Sequence, residues 1–145
     1  PDIDPQQWQA LVDRSPYATW FQTKEAYEFY AANPEEMTPF AIGVEENGHL
    51  AGVIVGYTTQ EKNPIKQYFT CRSIIIGGPL LDEHISNDAL SALLLAAKRV
   101  TKNSIYVWKH VIFIITVIGE IYLNLVGFYT SHTMIFMCIA MLRTP

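Results

Sequence analysis

The sequence is poor in several features by which functional classes are usually recognised. It has only 2 cysteines, Cys71 and Cys138, with neither a Cys-x-x-Cys nor a Cys/His spacing, which excludes a disulfide framework and a structural zinc site. His49, His84, His110 and His132 share no ligand spacing, so no metal is expected. Asp, Ser and His nowhere form a recognisable nucleophile motif, and no catalytic residue can be assigned. The formal charge is -4, which leaves no basic footprint for duplex nucleic acid, whose binding draws on Lys and Arg releasing counterions. The opening Pro1-Asp2-Ile3-Asp4-Pro5 lacks both the basic region and the apolar core of a signal peptide. It also lacks an initiator Met, so the natural beginning is expected to lie upstream. A reducing, cytoplasmic setting fits these absences. Internal repeats and low-complexity segments are missing too.

Charge is scarce overall, at 17% of residues against 50% hydrophobic, and the deficit is local. From Trp108 to Pro145 the charged side chains are Lys109, Glu120 and Arg143, whereas the chain before them carries an ordinary mixture. Two unlike pieces are therefore expected, with a boundary near Val107. A body of 145 residues fits one domain with one modest core.

Within the first piece, Asp4-Pro5 is a helix opening, an Asp cap followed by Pro at the first helical position. Trp8, Leu11 and Val12 then fall on one face, and Ser15-Pro16 ends the helix. A second helix is predicted from its cap Thr23, with Ala26, Tyr27, Tyr30 and Ala31 at helical spacing until Asn33-Pro34. Phe40 to Val44 and Leu50 to Tyr57 are β-rich runs around Asn47-Gly48, a dipeptide suited to a type I′ turn because both central residues need φ above zero. A loop from Gln60 to Pro64 precedes a long central strand expected over Ile65 to Ile76, ended by Gly77-Gly78-Pro79. After an acidic loop, Leu80 to Ile85, Ser86 or Asn87 caps a helix with Leu90, Leu93, Leu94 and Ala97 in one stripe and Lys98 and Arg99 in its last turn. Ser104 to Val107 begins a further strand. The order α-α-β-β-β-α-β makes this an α/β (α+β) chain.

That order is the first half of a GNAT-like domain, and the words resemble a narrower group. Phe21-Gln22-Thr23 before a helix, the Asn47-Gly48 hairpin, and Arg72 with Gly77-Gly78-Pro79-Leu80 resemble the amino-terminal part of FemAB-type proteins, over roughly Trp8 to Val107. These are aminoacyl and acyl transferases associated with peptidoglycan bridge formation. The resemblance implies an incomplete GNAT-like acyltransferase domain, inactive alone. It also implies a lipid-linked peptidoglycan precursor and charged tRNA as partners, with no bound cofactor.

Three residues are candidates for substrate binding. Gly77 and Gly78 would let backbone approach a ligand closely, with Pro79 fixing the exit, though a tight corner needs the same residues. Arg72 could hold a carboxylate or phosphate through its fork of donors, or face solvent or pair with Asp82 or Glu83. The Arg/Gln-x-x-Gly-x-Gly/Ala turn of acetyl-CoA enzymes is not matched. Ser73 to Ile76 separate Arg72 from the glycines, and Asp82 and Glu83 would repel a pyrophosphate at the helix start. Aminoacyl-tRNA is thus the implied donor ahead of acetyl-CoA. Cys71, opposite Arg72, reads as a buried, inert thiol. Trp20, Phe21, Tyr27 and Tyr30 read as core or platform aromatics.

The tail permits two readings. Val111 to Tyr129 is long and apolar enough for a minimal transmembrane helix, preceded by Lys98, Arg99, Lys102 and Lys109, which would make a tail-anchored inner-membrane protein with a cytoplasmic, non-enzymatic binding head. Glu120 near its middle opposes insertion by roughly a few kcal/mol. The other reading is an out-of-frame translation. Trp108 to Phe113 is encoded by TGG AAR CAY GTN ATH TTY, and a frame starting at the third base of the Trp codon reads Glu, Thr or Ala, Arg or Cys, Asn/Asp/His/Tyr, Phe/Leu/Ile. Ser104-Ile105-Tyr106-Val107 would then continue as Glu-Thr-Arg-Asn-Phe, which resembles the strand end of the same family. Sequencing the coding DNA across Val107 and Trp108 is expected to reveal a frame slip, and an uninterrupted, reproducible frame contradicts that reading.

Overall fold

The structure, a computed structural model, describes residues 2–63, 65 and 72–101 in full, and 102, 103, 111–116 and 134–139 as backbone. Helix α1, Pro5–Arg14, starts where its cap predicts: the Asp4 carboxylate accepts from the Gln6 N–H at 3.0 Å. Trp8 and Leu11, one turn apart, turn inward and are buried. A short 3-10 turn, Trp20–Gln22, leads to helix α2, Lys24–Ala31, where the Thr23 hydroxyl accepts from the Ala26 N–H at 3.3 Å. Ala26 and Tyr30 form its buried stripe.

Strands β1, Met37–Glu46, and β2, His49–Thr59, make an antiparallel hairpin. Asn47 has φ 53 and Gly48 φ 78, the left-handed pair that a two-residue primed turn requires. Pro39 lies on β1 at the edge of the sheet, where its missing N–H costs little. Strand β2 is buried from Leu50 to Gly56, because β1 flanks it on one side and two short strands flank it on the other. These are β3, Ser73–Ile76, and β4, Leu80–Leu81, both antiparallel to β2. Helix α3, Asn87–Asn103, follows, with the Ser86 hydroxyl accepting from the Ala89 N–H at 3.1 Å. Backbone strands β5, Val111–Thr116, and β6, Met134–Ile139, then extend the sheet in parallel with β3.

Alternation along β2 divides the core between two faces. Val53 and Val55 meet Trp8, Leu11, Ala26 and Tyr30 from α1 and α2, with Leu50 and Leu80. Ile54 points the other way, to Ile75 and to Leu93 and Ala97 of α3. The sheet is thus held between α1 and α2 on one face and α3 on the other, the α/β class expected.

Four expectations change. Of the long strand expected over Ile65 to Ile76, the described strand is Ser73–Ile76, and 66–71 lie outside the described residues. Ile65 is exposed with helical backbone, because the Asn63 side chain accepts its N–H at 2.9 Å, a helix-starting cap hidden in what reads as a loop. The acidic loop opens with strand β4 rather than irregular backbone, and Asp82 N–H still bonds to Ala51 O at 2.8 Å. Val111–Thr116 is a strand, not the start of a helix, and among the described residues no helix is long and apolar enough to cross a membrane. The rest of that apolar span, the strand at 104–107 and Cys71 lie outside the described residues.

Tyr30 is the titratable anchor of this core. Its phenol is pushed from the ordinary 10.0 up to about 12, first by burial and then by the nearby Tyr57. The unfolded chain therefore releases this proton at lower pH than the folded one, so stability is unaffected below about pH 10 and falls as pH rises towards 12. Alkaline unfolding followed by far-ultraviolet circular dichroism is expected in that window, with Tyr30→Phe moving the midpoint upward. An unmoved midpoint would show that Tyr30 is not the responsible group.

Candidate functional site

Strands β3 and β4 are one strand interrupted by a wide bulge. Ile74 pairs with Tyr57 and Leu80 with Val53, so the five residues from Ile75 to Pro79 face only three, Ile54 to Gly56. The surplus is absorbed at Gly77 and Gly78, with φ of 82 and 72. Such angles are strained for any residue with a Cβ. Space adds a second reason at Gly77, where a Cβ would lie 3.0 Å from Thr19 Oγ1 and 3.2 Å from Gln22 Nε2.

The bulge also parts the sheet. Strand β5 pairs in parallel with β3 from Ser73–Val111 to Ile76–Ile114, and β3 then turns off at Gly77. Ile115 and Thr116 continue paired with β6 alone among the described residues. In open sheets, ligands settle beyond the carboxyl ends of parallel strands where neighbouring connections diverge. Gly77 and Gly78 lie at the carboxyl end of β3, just past its last pairing with β5 at Ile76–Ile114.

One side chain holds the corner. Gln22 is 2% exposed, and its Nε2 donates to Gly77 O at 2.9 Å and to Gly78 O at 3.2 Å. Its Oε1 accepts from the Thr19 N–H at 2.8 Å and from Thr19 Oγ1 at 3.2 Å. Its backbone carbonyl accepts from Trp8 Nε1 at 2.9 Å. Helix α1, the turn at Trp20–Gln22 and the glycine corner are thus bound through one residue. With both carbonyls turned towards Gln22, the trans peptide between the glycines directs the Gly78 N–H the opposite way.

Of the residues singled out from sequence, Gly77 and Gly78 meet in this corner and Arg72 does not. Arg72 lies just before β3, at the other end of that strand, about 16 Å of extended chain from Gly77. Its backbone pairs with Thr59, its N–H reaching Thr59 Oγ1 at 3.1 Å and its O accepting from Thr59 N at 2.9 Å, and the residue is exposed. Asp82, one suggested partner for Arg72, is engaged by Arg14 at 3.1 Å. That pair ties α1 to the loop after β4, with modest energy because both groups are partly solvated. Trp20 and Phe21 are 48% and 37% exposed, so they are surface aromatics, whereas Tyr30 at 3% belongs to the core. Gln22 itself escaped sequence reasoning. The signal was a lone amide between aromatic residues and a helix cap, in a segment with no periodicity to show which way it points.

Replacing Gln22 by Leu leaves two glycine carbonyls and the Thr19 N–H without their partner, at a cost of about 2 kcal/mol or more. Gln22→Glu keeps the shape but offers the carbonyls a carboxylate, which cannot donate when ionised. Urea unfolding is expected to show both variants destabilised, with Glu the worse at neutral pH and improved at acid pH. Equal stability to the parent would contradict the clamp.

No family model matches the chain, and no curated protein matches its sequence. Among solved structures the chain is similar to FemX, with 27% identity and a TM-score of 0.53, over 70% of this chain and 24% of FemX. The chain thus spans about a quarter of the FemX length. The bulged mixed sheet and its helices form a FemX-like fragment, in keeping with the FemAB-type resemblance carried by Phe21-Gln22-Thr23 and Gly77-Gly78-Pro79.

Proposed function

We propose that the chain is the amino-terminal, substrate-facing portion of a FemAB-type acyl or aminoacyl transferase acting on peptidoglycan precursors. The observation that carries this reading is the glycine corner itself: a two-residue surplus at the end of parallel strand β3, fixed from behind by a buried amide. Register with β2 breaks between Ile74 and Leu80, so the corner lies outside the regular ladder. A corner with left-handed glycines instead presents backbone to a ligand at close range. Likeness to FemX supports the transferase setting.

In this reading the acceptor is a lipid-linked muropeptide and the donor an aminoacyl group on tRNA. The loop after the corner argues for that donor over acetyl-CoA. Asp82 and Glu83 precede helix α3, and Glu46 accepts from the Ser86 N–H at its start, at 3.1 Å, so carboxylates occupy the place where a pyrophosphate would sit. The Glu46 carboxyl is held below its ordinary range, first by the Ser86 side chain and then by the Ser86 backbone, and stays ionised at neutral pH. Asp82 is offset by Arg14. Reaction chemistry would need groups beyond those described, and the chain alone is expected to be inactive.

Two measurements test the reading. Incubation with charged tRNA and lipid-linked muropeptide is expected to give no aminoacyl transfer by this chain. Titration with a soluble muropeptide, by contrast, is expected to give saturable binding that Gly78→Val weakens by about tenfold or more, as strain at a left-handed position displaces the corner. Saturable binding of acetyl-CoA with none of muropeptide would overturn the assignment.

A further inference from the structure

Helix α3 buries Leu93, Ala97 and Thr101 against the sheet side. Its opposite face presents Asp88, Ala92, Leu95 and Arg99, all exposed, with Leu95 at 48%. Spacings of four, three and four place these residues along one line of the helix. The line is self-complementary. Asp88 and Arg99 are equally distant from the midpoint between Leu93 and Leu94, and so are Ala92 and Leu95. When two such helices lie antiparallel about a twofold axis through that midpoint, Asp88 of each meets Arg99 of the other, and Leu95 of each meets Ala92 of the other.

We propose that this chain self-associates as a weak twofold dimer through the outer face of α3. The occupant is argued from charge and shape together. An acid and a base stand roughly 16 Å apart along the axis, at the two ends of an apolar step. An unrelated helix would match that order only by coincidence, whereas a second copy matches it by symmetry. Small side chains at Ser91 and Ala92 leave room for the helix axes to approach to about 8–10 Å, which Leu95 of the second copy would fill. Antiparallel helices also oppose their dipoles favourably. The patch is narrow, and a complex resting on one leucine per copy, with partly solvated ion pairs, is a weak one.

Sedimentation equilibrium of the full 145-residue chain over a wide concentration range tests this. A reversible monomer–dimer equilibrium is expected. Arg99→Asp and Asp88→Arg should each weaken it by about tenfold, since two attractive pairs become two repulsive ones. The double reversal should recover the parent constant. Leu95→Gln should abolish the dimer with little change in the thermal midpoint, because Leu95 belongs to neither core cluster and Gln keeps a similar helix propensity. A chain monomeric at every concentration would overturn the proposal. So would a dimer indifferent to both single reversals, or a folded double variant that fails to recover.

Discussion

The fold turns on the buried amide of Gln22. A carboxamide offers two donors and two acceptors, and burying one is favourable only when those groups are matched. Here they are matched to the glycine corner through Nε2 and to Thr19 through Oε1, while the main-chain carbonyl of the same residue accepts from Trp8. Residues more than fifty apart in sequence are thereby fixed to one another at hydrogen-bond distance. Trp8, at 1% exposure, then has its indole N–H satisfied while its ring fills the face shared by Val53 and Val55. Loss of the amide would cost more than one hydrogen bond, because several partly or fully buried groups lose their partner together.

From that constraint the remainder of the site follows. Carbonyls drawn towards one side chain cannot also serve a regular ladder, so the strand must bulge, and only glycine holds the resulting angles without strain. A bulge at the end of β3 releases β5 from its neighbour, which opens the sheet where the two parallel strands end. The corner is thus held rigidly on the side facing the helices. Preorganised backbone of this kind suits recognition of a ligand, because little ordering remains to be done on binding.

Much of the first piece was legible from local chemistry. Asp4-Pro5, Thr23 and Asn47-Gly48 each combine a conformational preference with a hydrogen bond made within a few residues, and each appears where the sequence predicts it. Gly77 and Gly78 were legible as a corner for the same reason. What was not legible depended on distant partners. The reach of Gln22 to Gly77 and the diversion of Asp82 to Arg14 are both decided in three dimensions. The run from Ile65 looked continuous because period-two alternation does not register an Asn cap before it. Arg72, expected on the strand, lies just before it and at the far end from the corner, since charge type carries no information about distance.

The clamp can be observed directly. In a uniformly labelled sample, nuclear magnetic resonance can detect scalar coupling across a hydrogen bond, from the Gln22 side-chain nitrogen to the Gly77 and Gly78 carbonyl carbons. The account predicts both correlations, together with side-chain amide protons of Gln22 that exchange with water far more slowly than those of the exposed Gln6. Missing correlations, with Gln22 exchanging as fast as Gln6, would contradict it.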